Sequence, residues 1–211
     1  MTVTAHAGAL GTEANTLPSV AAGLCCGAQC IEVDIRFRRD GIPVLSHDPF
    51  HLDGAPTLAE AFALAGSGTV GWNLDLKECG AFLADLPPLV EQYGLRDRVF
   101  FTGVGRNDIP AVRTLGIPYY LNCGFAFWFA RRPSLLRPFA AEAKSLGVLG
   151  LNLPYRCASP QLVRAAHAAG LLVSVWTVNR SRTQARMARL GVDNMTTLRP
   201  DLALLLRKRR P

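Results

Sequence analysis

Strand and helix signals alternate eight times along this chain, and this alternation restricts the possible fold more than any other feature. Each predicted strand is short and is followed within a few residues by a helical pattern. The predicted strands cover residues 2–7, 31–38, 69–78, 98–103, 117–122, 148–153, 171–178 and 192–197. Repeated strand–helix units favour an α/β fold with a parallel sheet. Eight units in 211 residues predict one domain over residues 1–211, a short (β/α)8 TIM barrel.

The helices between these strands have recognisable start and stop signals. They are predicted over residues 15–27, 57–65, 80–93, 108–115, 134–146, 159–170, 182–190 and 201–206. Asn15 or Thr16, Thr57 and Ser134 are predicted N-caps. An open doubly wound sheet is the alternative architecture, but no strand is followed by a Gly-rich dinucleotide-binding loop.

Charge and composition restrict the partners. A formal charge of +7 and a pI near 9.4 favour anionic partners such as phosphates, nucleic acids or acidic membrane surfaces. Few aromatic residues lie among the basic ones, and part of the charge is in the tail 207–210, so nucleic acid is not expected. The sequence has no run of 18 apolar residues and no secretory signal, and its six cysteines lack zinc-site spacing. We therefore expect a cytoplasmic protein without a transmembrane segment.

The stretch Cys30–Pro49 carries the strongest chemical signal. Glu32 and Asp34 alternate with apolar residues, so they point to the same side of a strand about 6.6 Å apart along it. Two acids on one face repel each other, and a divalent cation would remove that repulsion. Asp40-Gly41 predicts a turn, after which a returning segment brings His47 beside the acids. A solvent-facing strand with acids matched by arginines is the structural alternative.

Polar residues recur where the other predicted strands end. In a barrel of this class, the active site lies at the ends of the strands that lead into the helices. The residues at these positions are His6, Asp75, Lys77, Thr102, Asn122, Asn152, Trp176 and Asn179. Their collection at one rim predicts the position of a site without reference to any known family.

Several motifs in the same order resemble the glycerophosphodiester phosphodiesterase family. They are His6-Ala-Gly, Asn15-Thr16, Ile31-Glu-Val-Asp34, Arg39-Asp-Gly41, His47-Asp48, Asn73-Leu-Asp-Leu-Lys77, Val175-Trp-Thr-Val-Asn179, Gly191-Val-Asp193 and Arg199-Pro-Asp201. The likeness spans the whole chain. The broader superfamily resembled here is the phosphatidylinositol-phospholipase-C-like phosphodiesterases, which share the barrel.

The resemblance implies an enzyme of lipid metabolism acting on a small anionic phosphodiester. It implies a divalent metal ion, Mg²⁺ or Ca²⁺, on Glu32, Asp34 and Asp75, with His6 and His47 as general acid and base. Lys77 would help to hold the phosphate, and Trp176 would line the pocket.

The chain also departs from the family pattern. Ala7 stands where the family has a phosphate-contacting arginine, and Ala14 stands where it has a glutamate. The third metal acid, Asp75, is one methylene shorter than the commoner glutamate. The insertion after the second strand is reduced to residues 49–56, which predicts a more open substrate mouth.

Some residues and one loop keep more than one interpretation. Arg36 projects with the metal acids and either binds substrate in place of the missing arginine or pairs with a nearby carboxylate. Asp48 either orients His47 or a substrate hydroxyl, or caps a turn. Trp176 is either a pocket wall or barrel core. The aromatic loop 125–129 is either a lid, a membrane-touching tip or buried packing.

Three functions are consistent with these features. The first is a metal-dependent phosphodiesterase that hydrolyses glycerophosphodiesters by acid–base catalysis with two histidines, either directly or by way of a cyclic phosphate. The second is a specialised lyase, cyclase or biosynthetic enzyme with another substrate. The third is a non-catalytic barrel that binds a phosphorylated ligand. Two histidines together with three acids favour catalysis; the oligomeric state is not indicated.

Overall fold

The computed structural model describes residues 1–66, 68–124 and 132–208, and its centre is a closed barrel of parallel strands. The strands are β1 (Thr2–Ala5), β2 (Cys30–Phe37), β3 (Pro43–Leu45), β4 (Gly71–Leu76), β5 (Val99–Val104), β6 (Tyr119–Asn122), β7 (Gly150–Pro154), β8 (Leu172–Trp176) and β9 (Asn194–Thr197). Strand β1 pairs with both β2 and β9, which closes the ring. Strand β3 lies outside the barrel, antiparallel to β2. The predicted barrel is confirmed, and β3 is the predicted returning segment.

Helices connect successive strands of the barrel. They are α1 (Leu17–Cys25), α2 (Leu58–Ala65), α3 (Leu86–Gln92), α4 (Ile109–Arg113), α5 (Pro133–Ser145), α6 (Pro160–Ala168), α7 (Ser181–Leu190) and α8 (Pro200–Lys208). Thr16 and Thr57 cap α1 and α2 through their side chains, as predicted. Within the described residues, no helix is both long enough and apolar enough to cross a bilayer.

Two helix predictions were wrong in detail. The segment 80–93 is divided into a 3-10 turn, Ala81–Asp85, and α3, because the pair Pro87-Pro88 lacks backbone N–H groups and suits only the first turn of a helix. Ser134 does not cap α5, which begins one residue earlier at Pro133 after Arg132.

Alternation along the strands separates the core from the site. In β2, Ile31, Val33 and Ile35 are buried in the apolar layer between the sheet and the helices. Glu32 and Asp34 alternate with them and therefore point into the barrel, where they are also buried. The period-two pattern thus directs the acids to the inside of the barrel and the aliphatic residues to its outside.

Gly103 allows β4 and β5 to come close beside the site. Its φ is +80°, and a Cβ there would lie 2.2 Å from the Leu76 carbonyl oxygen, so only glycine fits. The β5–β6 register shifts at this point, between Phe101 and Val104. The residue before it, Thr102, pairs with Asp75 on β4, which places its hydroxyl next to an acid of the site.

Candidate active site

An open cavity of about 290 Å³ lies at the C-terminal end of the barrel strands. Side chains from nearly all the barrel strands and the loops after them form its wall. The lining residues are His6, Glu32, Asp34, His47, Asn73, Asp75, Lys77, Thr102, Asn122, Asn152, Trp176, Thr177 and Thr196. The rim residues expected from the sequence therefore meet in one cavity, apart from Asn179, whose amide oxygen accepts a hydrogen bond from Leu198 N in the neighbouring loop.

Three carboxylates converge in this cavity. Strands β2 and β4 are in register, so Asp34 lies opposite Asp75, and Glu32 is one inward position earlier. One oxygen from each of Glu32, Asp34 and Asp75 lies within 4.8 Å of the other two. Since two oxygens bound to one Ca²⁺ at about 2.3–2.6 Å can be up to about 5.2 Å apart, this spacing fits a divalent cation.

The ammonium group of Lys77 lies between two of these acids. Its Nζ is 2.8 Å from Asp34 Oδ1 and 2.5 Å from Asp75 Oδ2. Burial favours the neutral amine, but the charges of Asp75 and Asp34 and their hydrogen bonds outweigh it and raise the pKa of Lys77. Lys77 is therefore a permanent cation whose charge is shared by two carboxylates of the group.

Glu32 and Asp34 respond differently to the same burial. Burial raises the pKa of Glu32 well above its usual value, and the nearby charges of Asp34 and Asp75 raise it further. Burial acts on Asp34 in the same direction, but the hydrogen bond and charge of Lys77 and the Asn15 amide outweigh it and lower its pKa. The three carboxylates together thus carry more negative charge than Lys77 alone can neutralise. A divalent cation would stabilise such a cluster.

Asn15 orients Asp34 through two hydrogen bonds. The sequence analysis did not identify it as a site residue. Its Nδ2 donates to Asp34 Oδ2 at 2.7 Å, and its Oδ1 accepts from Asp34 N at 3.1 Å. The residue is buried and has a left-handed backbone, with φ at +58°. The sequence signals were its place in the Asn15-Thr16 motif and its position at the start of α1, where asparagine tolerates this conformation.

The two candidate catalytic histidines are held in the same way. His6 Nδ1 is 2.8 Å from the Ala7 carbonyl oxygen, and His47 Nδ1 is 2.9 Å from Asp48 Oδ1. Both partners only accept hydrogen bonds, so the proton of a neutral ring is placed on Nδ1. Nε2 of each ring is then available to accept or donate a proton. His6 is half-buried, whereas His47 is exposed at the mouth.

The other predicted substrate-binding residues lie in different settings. Arg36 Nε donates to the His47 carbonyl oxygen at 2.9 Å, and its Nη1 is 3.7 Å from Glu78 Oε2. These contacts match the ion-pair interpretation of Arg36 and support the His47 loop from outside the cavity. Trp176 lines the cavity with 38% of its surface exposed.

Neutral groups form the rest of the cavity wall, beginning beside Asp75. Thr102 Oγ1 lies 2.6 Å from Asp75 Oδ1 and 2.8 Å from Asn73 Oδ1. Further round the barrel, Asn122 Oδ1 accepts from Asn152 Nδ2 at 2.9 Å and from Gly103 N at 3.1 Å. This wall offers amides and hydroxyls without a formal charge. The predicted aromatic loop 125–129 lies outside the described residues.

Comparison with known proteins identifies the family of this chain. The profile of the glycerophosphoryl diester phosphodiesterase family matches residues 6–86 and 72–202. The chain belongs to this family. Membership confirms the predicted resemblance and the predicted enzyme class, a phosphoric diester hydrolase.

Individual relatives are distant but cover nearly the whole chain. A glycerophosphodiester phosphodiesterase of Caldanaerobacter subterraneus subsp. tengcongensis is 24% identical over 98% of both chains. A phosphodiesterase of Oleispira antarctica, solved with the product sn-glycerol-3-phosphate, has a TM-score of 0.79 at 21% identity, over 99% of this chain and 97% of that one. The glycerophosphodiester phosphodiesterase of Thermotoga maritima has a TM-score of 0.73 at 22% identity, over 99% and 98%. The structural likeness confirms the barrel.

Proposed function

We propose that this chain is a metal-dependent glycerophosphodiester phosphodiesterase that uses His6 and His47 as its general acid and base. The observation that carries the proposal is the presence of three carboxylates and two imidazoles on one cavity. Family membership supports the reaction class, and the product bound to the Oleispira antarctica relative supports a small phosphate ester as ligand.

Glu32, Asp34 and Asp75 would hold the divalent ion, Mg²⁺ or Ca²⁺. The residues fit such an ion because they offer hard oxygen ligands within 4.8 Å of one another. A bound divalent ion supplies a Lewis acid that withdraws charge from the non-bridging phosphate oxygens. Lys77 keeps Asp34 and Asp75 oriented toward the cavity and adds a fixed positive charge beside the phosphate.

The two histidines divide the proton transfers. Each ring is fixed through Nδ1, so Nε2 of one can take the proton of the attacking hydroxyl or water while Nε2 of the other protonates the leaving alkoxide. A substrate hydroxyl next to the phosphate can attack first and give a cyclic phosphate. Capture of that cyclic ester in a single turnover, or its absence, decides between this route and direct hydrolysis.

Because residue 7 is alanine and not arginine, its side chain cannot contribute a positive charge to phosphate binding. Its backbone N–H donates to Glu32 Oε2 at 2.9 Å, and its carbonyl oxygen accepts from His6. The main chain at this position therefore organises the metal acid and the histidine, but the methyl side chain brings no charge to the substrate. Phosphate binding then depends on the metal, Lys77 and the histidines.

The central experiment measures hydrolysis of glycerophosphodiesters by protein that has been stripped with EDTA and reloaded with Mg²⁺, Ca²⁺ or Mn²⁺. Activity should disappear with EDTA and return with metal. His6→Ala and His47→Ala should each lower kcat by roughly 100-fold or more, the usual contribution of a positioned acid or base. Full activity in EDTA would refute the metal-dependent mechanism, and turnover of an activated aryl phosphodiester alone would favour a different natural substrate.

Two further expectations accompany this proposal. We propose that residues 1–211 form one functional domain, and that the protein acts in the cytoplasm. Expression of residues 1–211 alone followed by the hydrolysis assay tests the first, and fractionation of cells that express the tagged chain tests the second.

A further inference from the structure

Charge is distributed unevenly along the chain. Residues 1–124 contain eight lysines and arginines and thirteen acids, whereas residues 132–208 contain twelve lysines and arginines and only three acids. The second segment supplies β7, β8 and β9 with the loops that follow them. The three carboxylates of the cavity therefore belong to the acidic part of the chain, and the loops after β7 and β8 belong to its basic part.

Three exposed arginines, Arg156, Arg180 and Arg186, lie after β7 and β8, and the first of them contacts Tyr155. Arg156 lies over the Tyr155 ring, 5.7 Å from its centre, and its Nε is 3.4 Å from the phenol oxygen. The hydrogen bond and charge of Arg156, together with the charges of Arg180 and Arg186, lower the pKa of Tyr155. We call Arg156, Arg180 and Arg186 the arginine rim.

The strand register connects the arginine rim to the cavity wall. Pro154 at the end of β7 pairs with Trp176 at the end of β8, and Trp176 lines the cavity. Tyr155 follows Pro154 directly, and Arg180 stands immediately before α7 at the end of the loop from β8. The segments that carry the arginine rim therefore begin beside the part of the cavity wall that Trp176 forms.

The charges of the arginine rim are not matched by acids. None of the three arginines forms an ion pair with a carboxylate of residues 1–66, 68–124 or 132–208, whereas Arg199 pairs with Asp201 and Arg106 with Glu142. Inside the cavity, Lys77 is already paired with two acids. Grouped cations without counter-ions create a positive local potential that an anion would relieve.

We propose that the arginine rim binds a second anionic group, a phosphate or carboxylate carried by the alcohol side of the substrate. The preferred substrates are then phosphodiesters with a further negative charge beyond the scissile phosphate. This inference rests on the proposed phosphodiesterase function and adds to it the charge of the substrate. Arginine suits the role because its planar fork binds phosphate and carboxylate oxygens in pairs.

The test compares two esters that differ by one phosphate. Glycerophosphoglycerol has a single phosphodiester, whereas bis(glycerophospho)glycerol has two. In the second ester, one phosphodiester is cleaved while the other is available to bind the arginine rim. After correction for its two equivalent bonds, kcat/KM for the second ester should exceed that for the first by about tenfold, the size expected for one charge-assisted contact. The preference should weaken as salt is raised, because exposed charges are screened.

Variants that each remove one positive charge show which arginines produce the preference for the second ester. Arg180→Gln and Arg186→Gln should each remove most of the preference, and Arg180→Lys should restore part of it. Arg189→Gln removes the same charge from the same helix, but in its last turn, away from the mouth, and should leave the preference unchanged. Melting temperatures of all variants show whether the fold is intact.

The outcomes separate the two proposals. Hydrolysis of both esters at equal rates per bond, or an equal loss in Arg189→Gln, overturns the arginine rim while leaving the phosphodiesterase intact. Hydrolysis of neither ester overturns the phosphodiesterase. In that case calorimetric binding of the two esters to the wild-type protein still tests the arginine rim, because equal affinities would refute it and tighter binding of bis(glycerophospho)glycerol that is lost in Arg180→Gln would support it.

Discussion

The two walls of the cavity differ in the chemistry that they offer. The wall formed by β1, β2 and β4 contains Glu32, Asp34, Asp75, Lys77 and His6, so almost every group on it is ionic or can titrate. The wall formed by β5 to β9 contains Thr102, Asn122, Asn152, Thr196 and Trp176, none of which is charged. A single barrel thus presents a charged half and a neutral half to the same ligand.

The difference indicates that the two walls have different functions. Buried charges are costly unless they are paired, and the acidic half concentrates them where a cation and Lys77 can pair them. The neutral half can hydrogen-bond the hydroxyls of an alcohol without repelling a phosphate. We therefore expect substitutions in the first half to change metal binding and kcat, and substitutions in the second half to change KM.

The largest expected effect follows from neutralising one of the three carboxylates that we propose as metal ligands. Asp34→Asn keeps the size of the side chain but removes one ligand charge and the ion pair with Lys77. We expect kcat/KM to fall by roughly 1,000-fold, since one side chain serves both the metal and its cationic neighbour. Steady-state kinetics with a Mg²⁺ titration measures this. A variant with unchanged metal affinity and near-normal kcat would refute the division between the two walls.

The fold could be predicted from the sequence because local and global signals agree. The eight strand–helix repeats, the caps Thr16 and Thr57 and the alternation in β2 each favour the same barrel. Helix boundaries were harder to predict. A serine near the start of α5 was a plausible cap, but Pro133 fits the first helical position without one.

The site could be predicted only in part. Residue type and strand position were enough to bring the three acids and both histidines to one rim. The partner of each group was not predictable, because it depends on contacts between distant segments. Asn15 meets Asp34 across 19 positions of the chain, and Thr102 meets Asp75 across 27. Lys77 was expected to pair with acids or phosphate: it pairs with Asp34 and Asp75, and its role toward phosphate stays a prediction.

The second largest effect tests whether Asn15 belongs to the charged half. Asn15→Ala removes both hydrogen bonds to Asp34, and we expect Mn²⁺ affinity to fall by about 10- to 100-fold, as for other residues that orient a metal ligand. Asn15→Gly should lose the same affinity while relieving the left-handed backbone. Calorimetric or EPR titration measures the affinity.

A matched control separates the backbone from the side chain at Asn15. His51 also has a left-handed backbone, with φ at +57°, but it is exposed and lies outside the cavity. His51→Gly should raise the melting temperature slightly and leave Mn²⁺ affinity unchanged. If Asn15→Gly bound Mn²⁺ as tightly as the wild-type protein, the side-chain contacts of Asn15 would not matter to the metal site.

A third, smaller effect would come from adding charge to the neutral half. Asn152→Asp preserves the shape of the side chain but places a carboxylate opposite the metal acids. We expect KM for a glycerophosphodiester to rise by about tenfold through repulsion of the phosphate, with kcat changed much less. Asn152→Ser, which adds no charge, is the control and should raise KM by less. An equal rise in both variants would show that the amide, rather than neutrality, determines binding.

The smallest effect is expected from a comparison of two threonine substitutions. One threonine lies at the boundary between the walls, and the other lies within the neutral half. Thr102 contacts Asp75 through its hydroxyl, whereas Thr196 lines the cavity from β9 and is equally buried. Thr102→Val removes one hydrogen bond to a metal acid, so Mn²⁺ affinity should fall by about three- to tenfold. Thr196→Val has the same change of shape and should leave that affinity within twofold of wild type, roughly the scatter of such titrations. A similar loss in both variants would mean that the metal site depends on the polarity of the whole cavity and not on the charged wall alone.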